Sequence, residues 1–161
     1  MKFLYTITLS VLLISCSNTN QSVLKTDDEL TSTINLLFEK YVANDFELSD
    51  YYADDVVARV NNQELNGYEN LIAGYKAHHE LLYDNISVDE LYVHTNYFND
   101  GEVWSNSWFT WSAVGKTTGE EYTNRAHFDY KWENGKIVEL LAYYSEYADL
   151  KESAALQAAQ E

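Results

Sequence analysis

GEEYTNRAHFDYKWENGKIVE, residues 119–139, reads as a long strand, a tight turn and the start of a second strand. Asn134-Gly135 supplies the turn, because both central residues of a two-residue hairpin loop need positive φ, which asparagine and glycine tolerate best. The turn pairs Glu133 with Lys136 and Trp132 with Ile137, and by continuation Phe128 with Leu141 and Asn124 with Ser145. Upstream, Gly115 to Gly119 (GKTTG) and Asn99-Asp100-Gly101 read as two further hairpin turns. Four long antiparallel strands follow, at about 86–98, 102–114, 120–133 and 136–147.

A turn at Asp100-Gly101 pairs Phe98 with Val103, Asn96 with Ser105 and His94 with Ser107. If the middle hairpin pairs Gly115 with Glu120, the strands divide into two faces, which a one-residue slip would exchange. The first carries Tyr92, His94, Phe109, Trp111, Asn124, Phe128, Tyr130, Tyr143 and Ser145. It is richer in apolar area and is the face expected to be covered. The second carries Trp108, Arg125, His127, Asp129 and Lys131, a mixture of aromatics and charges that suits an interface.

The N-terminal half is helical in pattern. Between Asp27 and Asn44, Leu30, Ile34, Leu37, Phe38, Tyr41 and Val42 share one face, with Thr26 or Asp27 as cap. A short second helical piece is expected around Leu48 to Ala53, then a brief strand from Val56 to Val60 and a turn at Asn61-Asn62. A third helix opens at Asn66 or Gly67 and runs to about Tyr83. Its apolar face is Tyr68, Leu71, Ile72, Tyr75, His79 and Leu82, with His78 about 100° away. The pattern is α+β: a curved antiparallel sheet on three N-terminal helices. Residues 148–161 are Ala-rich and are expected to form a frayed helix or a loose tail.

Before the fold comes an address. Lys2 is followed by an apolar run from Phe3 to Ile14, too short to span a bilayer and suited to a secretory signal. The run ends in Leu13-Ile14-Ser15-Cys16, which resembles a bacterial lipobox and contains the only cysteine of the chain. The resemblance implies cleavage before Cys16, acylation there, and export to the cell envelope with attachment by a lipid anchor alone. The chain then divides into a signal peptide (1–15), a tether (16–26), a folded domain (27–147) and the tail.

The 161 residues suit one domain. Lys and Arg total 10 against 26 Asp and Glu, a net charge of −16, which disfavours nucleic acids and anionic lipid surfaces as partners. One cysteine excludes an internal disulfide. His78-His79 is an adjacent pair rather than the i, i+4 spacing of a helical zinc site, and neither a phosphate loop nor a G-x-S-x-G elbow occurs. No metal or cofactor is expected.

The order of elements is similar to the SnoaL-like, nuclear transport factor 2-like superfamily. Gly67-Tyr68-Glu69-Asn70-Leu71-Ile72 at the third helix, Thr118-Gly119 at a hairpin and Asn134-Gly135-Lys136-Ile137-Val138-Glu139 at the last strand carry the resemblance, over about residues 28–147. It implies a cone-shaped fold in which a strongly curved sheet wraps a helix and leaves a pocket at the wide end. The family includes isomerases, cyclases, hydrolases and dehydratases, and also proteins with no chemistry. Many members dimerise through the outer sheet face. Enzymatic members commonly carry an Asp near the end of the last strand; here that position is Ser145, which has no base of its own to take its proton.

Within the cone, His79 and His94 are the candidate acid–base residues, since histidine alone titrates near neutral pH unperturbed. Each could equally be a hydrogen-bonded structural histidine. Tyr75, Tyr92, Trp111, Tyr130 and Tyr143 are candidate walls for a partly apolar small molecule, with Asn124 and Ser145 to orient it. Plain core packing is the alternative for the same residues. Three functions stay open: a lipid-anchored small-molecule binder, an isomerase, dehydratase or hydrolase, and a structural homodimer with a filled cone.

Overall fold

The computed structural model describes residues 21–160, so the signal sequence and Cys16 lie outside the described residues. The strands are β1 (Val23–Lys25), β2 (Tyr52–Val60), β3 (Gln63–Asn66), β4 (Tyr83–Tyr97), β5 (Val103–Gly115), β6 (Glu121–Glu133) and β7 (Lys136–Tyr143). They form one curved, unclosed sheet in the order β1-β4-β5-β6-β7-β2-β3. The helices are α1 (Glu29–Val42), α2 (Tyr68–Ala77), which runs into a π-helical turn at His78–Leu82, and α3 (Tyr147–Ala158). The α+β class and cone-like wrapping follow the sequence reading. The sheet is mixed rather than purely antiparallel, because β2 runs parallel to β7.

Asp28, not Thr26 or Asp27, caps α1: its carboxylate accepts from the Thr31 amide at 2.9 Å and from the Tyr97 hydroxyl. The helix buries Ile34, Leu37 and Phe38 against the sheet, each contributing about 1.5–3 kcal/mol by leaving water. Gly67 opens α2 at φ +90°, where a side chain would be strained. The expected helix at Leu48 to Ala53 is only a turn. Ile137 donates its amide to Tyr51 O at 2.8 Å, and this pairing along β7 draws Tyr52 into β2. The third helix therefore comes from the C-terminus: the Ala-rich tail is α3, docked on the sheet end. A strand, β1, also forms within the expected tether and pairs with β4.

Asn134 and Gly135 adopt φ 52° and 78°, as their turn requires. Glu133 pairs with Lys136 and Trp132 with Ile137, as read from sequence. Beyond them the register departs. Val138 is an extra residue, so Tyr130 meets Leu140 and Phe128 meets Ala142 instead of Leu141. At the other edge, Phe98 to Glu102 forms a five-residue loop closed by Phe98 N to Glu102 O at 2.9 Å. Tyr97, not Phe98, pairs with Val103, and His94 faces Asn106 rather than Ser107. These one-residue slips turn the ends of β4 and β7 over, while β5 and β6 keep their expected faces.

A directional chain of hydroxyls ties the layers together. The Trp132 indole N–H donates to Ser105 Oγ at 2.8 Å. Ser105 lies 2.7 Å from the Thr95 hydroxyl, and Thr95 lies 2.9 Å from that of Thr31. Thr31 donates onward to Lys25 O at 3.4 Å. The Lys25 carbonyl can only accept, so Thr31 donates to it, Thr95 to Thr31 and Ser105 to Thr95, each hydroxyl passing its proton the same way. The chain joins β6, β5, β4, α1 and β1 and gives the buried Trp132, Ser105, Thr95 and Thr31 side chains their partners.

Candidate functional site

The inner faces of β5, β6 and β7 and the helices α1 and α2 enclose a cavity of about 220 Å³. Leu37, Phe38, Phe109, Phe128, Leu140 and Ala142 are among the residues of its apolar wall. An apolar cavity of about 150 Å³ can hold benzene, so this one suits a single ring with a small substituent.

The helix α2 meets the cavity through Leu71, Gly74, Tyr75 and His78, an i, i+3, i+4, i+7 set. The apolar pattern alone centres the face one residue away, on His79, because Gly74 carries no hydrophobic signal. Nothing lies within 4 Å of where a Cβ on Gly74 would stand.

One group of lining side chains is polar and mutually bonded. The Tyr41 hydroxyl lies 2.9 Å from His78 Nδ1 and accepts the Trp111 indole N–H at 3.2 Å. His78 Nε2 is 3.9 Å from Asp149 Oδ1, and Tyr83 donates to that same oxygen at 2.6 Å. Asp149 comes from the first turn of α3 and lies among the cavity-lining residues. Burial lowers the His78 pKa, with the Asp149 carboxylate pulling it back up and neighbouring His79 pushing it down. Burial raises Tyr41 and Tyr144, and pushes Tyr75 up to about 12, so these phenols hold their protons at neutral pH.

Of the residues expected from sequence, Tyr75, Trp111, Asn124, Tyr130 and Ser145 line this cavity. Asn124 and Ser145 meet at its rim: the Asn124 amide donates to Ser145 O at 2.9 Å and accepts from Ser145 N at 3.4 Å. Their pairing occupies the amide that was expected to orient a ligand.

The other four sit elsewhere. His79 packs against the rings of Tyr41 and Phe46, at 5.2 and 5.5 Å between centroids, outside the cavity lining. His94, Tyr92 and Tyr143 lie on the opposite, outer side of the sheet, carried there by the two register slips. There His94 and His127 stack on Trp108, with centroids 5.3 and 4.5 Å away. Burial lowers the His94 pKa, as it does that of His79. His127 Nε2 approaches Asp129 Oδ1 to 2.7 Å, off the line that a ring N–H would need. Among the described residues, no three His, Asp or Glu side chains converge as a metal ion would require.

Tyr41, His78, Tyr83, Tyr144 and Asp149 were not nominated from sequence. A 3–4–7 spacing that admits glycine would have found His78. Asp149 was hidden because α3 lacks an apolar stripe: its buried positions are Ala148 and Glu152, one turn apart.

The SnoaL-like domain family matches residues 37–140. Among solved structures, a candidate SnoaL-like polyketide cyclase of Mesorhizobium loti is 26% identical, with a TM-score of 0.51 over 70% of this chain and 93% of its own. An NTF2-like protein of unknown function from Burkholderia pseudomallei is 16% identical, with a TM-score of 0.60 over 78% and 97%. A protein of ketosteroid isomerase-like fold from Catenulispora acidiphila, solved in complex with trimethylamine, is 17% identical, with a TM-score of 0.56 over 75% and 91%. No match is found among curated proteins.

Proposed function

The chain belongs to the SnoaL-like domain family, and on that premise we propose that it binds a small, mostly apolar, ring-bearing molecule in its cone. The carrying observation is the cavity of about 220 Å³ walled mainly by aliphatic and aromatic side chains, onto which the mutually bonded polar set of Tyr41, His78 and Trp111 opens. That distribution orients a molecule with one polar substituent and one greasy ring.

Gly74 provides the test. It sits in the middle of α2 with open space in front of its Cα. Gly74→Leu is expected to stabilise the helix by about 0.5–1 kcal/mol through propensity alone and to fill the cavity. A thermal shift should show a melting temperature at or above the wild type. Calorimetric titration with methylcyclohexane should show binding to the wild type and at least a tenfold loss in the variant. Equal binding to both would place the ligand elsewhere.

A second reading, acid–base catalysis on the bound molecule, is favoured by one observation. His78 stands between a phenol hydroxyl and a carboxylate, the arrangement that lets an imidazole accept and release a proton. Neither His79 nor His94 has such partners.

We also propose that the protein is exported and lipid-anchored through Cys16, and that it self-associates through the outer sheet face. Support for the second comes from Tyr92, Trp108 and Tyr143, each 41–52% exposed on one stretch of that face. One fractionation tests both. Cys16→Ala is expected to leave the membrane fraction, and the released protein to sediment at twice its chain mass. Unchanged membrane partitioning contradicts the anchor, and a monomeric mass contradicts the dimer.

A further inference from the structure

The polar set that lines the cavity contains a hydroxyl whose direction depends on a neighbouring proton. The Trp111 indole is a donor only, so the Tyr41 oxygen accepts from it. The other partner of that oxygen is His78 Nδ1, at 2.9 Å. On the far side of the ring, Nε2 faces Asp149 Oδ1 at 3.9 Å, which favours the tautomer with its proton on Nε2. Nδ1 is then an acceptor, and the one proton of Tyr41 is spent on it. In this state Tyr41 has a lone pair for a ligand donor and no proton for a ligand acceptor.

Protonation of His78 reverses the bond. Nδ1–H now donates to the Tyr41 oxygen, which already accepts from Trp111. The phenol proton is displaced and has one direction left, toward the cavity that Tyr41, His78, Trp111 and Asp149 all line. We infer that the Tyr41–His78 pair is a proton-operated selector, which admits a ring bearing a carbonyl or other pure acceptor when His78 is charged. A ring bearing a hydroxyl, which can both donate and accept, fits either state. A bare hydrocarbon is indifferent. This inference rests on the binding reading above and names the chemical class that the site takes under each condition.

The groups around His78 fix the sign. Tyr41 faces it from α1, Tyr83 from β4, Asp149 from α3, and His79 adjoins it in the same turn. Tyr144, at the end of β7, adjoins Asp149, and Lys116 lies toward His79. The phenols stay neutral. Asp149 favours the imidazolium, while burial and His79 disfavour it, so the reversal falls below the ordinary histidine range. A bound ketone, by accepting the released phenol proton, favours the charged ring in turn; binding and proton uptake are linked.

The experiment titrates the whole protein with methylcyclohexane, cyclohexanol and cyclohexanone between pH 8 and pH 5, with the His78 ring followed by NMR in the same samples. Cyclohexanone affinity, relative to methylcyclohexane, is expected to rise roughly tenfold as His78 takes up its proton, the size of one buried hydrogen bond. Cyclohexanol relative to methylcyclohexane should stay flat. Tyr41→Phe should flatten the ketone profile, and Asp149→Asn should move its midpoint to lower pH. If none of the three compounds binds, the cavity reading itself fails. If the hydrocarbon and ketone bind with parallel pH profiles, or His78 holds one charge state throughout, the cavity reading stands and the selector is overturned.

Discussion

Replacing Glu152 with leucine is expected to undock α3 and to lower the melting temperature by roughly 10 °C. Glu152 is fully buried, yet it is a carboxylate. Its oxygens accept from the Tyr122 hydroxyl at 2.8 Å, the Thr118 hydroxyl, and the amides of Thr117 and Thr118 at 3.1 and 3.4 Å. Burial alone would raise its pKa, but these donors together hold it below the usual carboxylate range. Leucine would remove the acceptor that these four donors share, the buried Tyr122 hydroxyl among them, and with hydrogen bonds to a charged group contributing about 1.5–3 kcal/mol each the loss is about 3–5 kcal/mol. At about 3 °C per kcal/mol for a domain of this size, the melting shift follows. Because the folded pKa is depressed, the stabilisation is complete above the ordinary glutamate value. It is lost as pH falls through the lowered one. Glu152→Gln should therefore be less stable than wild type at neutral pH and show a shallower loss in acid, measured by urea denaturation.

Gly115 makes the same site testable by coupling. A Cβ there would run into the Glu152 carboxylate and stand 2.7 Å from Thr118 Oγ1. Gly115→Ala should cost more than 2 kcal/mol in the wild type and at least 1 kcal/mol less in a Glu152→Ala background, where the Thr118 hydroxyl is the close neighbour that remains, a non-additivity expected of residues in contact. Additive costs would show that the carboxylate does not occupy this place. Through Ala148 and Asp149 the docking of α3 also completes the lining of the cavity, so its loss should weaken ligand binding as well.

The second large effect is expected at Ser105. Ser105→Ala removes the acceptor of the Trp132 indole N–H, in a layer where Ser105 and Thr95 are both fully buried. An orphaned buried donor costs about 1–3 kcal/mol, and the missing oxygen adds a small void. A loss of about 2–3 kcal/mol in urea denaturation is expected, with faster hydrogen exchange at the Trp132 indole. A loss under 0.5 kcal/mol with the indole still protected would show that the hydroxyl chain does not organise this layer.

How much of this was legible in the residues depended on what each signal could resolve. The Asn134-Gly135 turn dictated its own pairing, because few other dipeptides accept its backbone angles. It could not reveal the extra residue at Val138: a bulge in a strand of alternating apolar residues leaves the composition unchanged and only reverses the parity beyond it. Tyr143 was displaced to the outer face for that reason. Tyr92 and His94 moved because Asn99-Asp100-Gly101 marks a turn without specifying its length. The central strands kept their faces because Gly115 does stand opposite Glu120, the pairing on which the two faces depended, and Trp111, Asn124 and Tyr130 were located with them. The site's own chemistry was less visible. Asp149 sits in a segment of low hydropathy contrast, and its helix is anchored by a buried glutamate, a residue that patterning assigns to solvent. The last strand stops at Tyr143 rather than running on to about 147, which leaves Ser145 just beyond it, and the carboxylate that lines the cavity, Asp149, enters one helical turn later.

Function in this protein depends on whether the space among Leu37, Leu71, Leu140 and Ala142 receives a molecule. The direct measurement is a methyl NMR titration of the wild type with methylcyclohexane. Saturable shifts are predicted at the methyl groups of those four residues, with none at Leu24 or Leu150 on the exposed surface. Unmoved cavity methyls at concentrations that saturate the solvent, or shifts spread evenly over the surface, would contradict it.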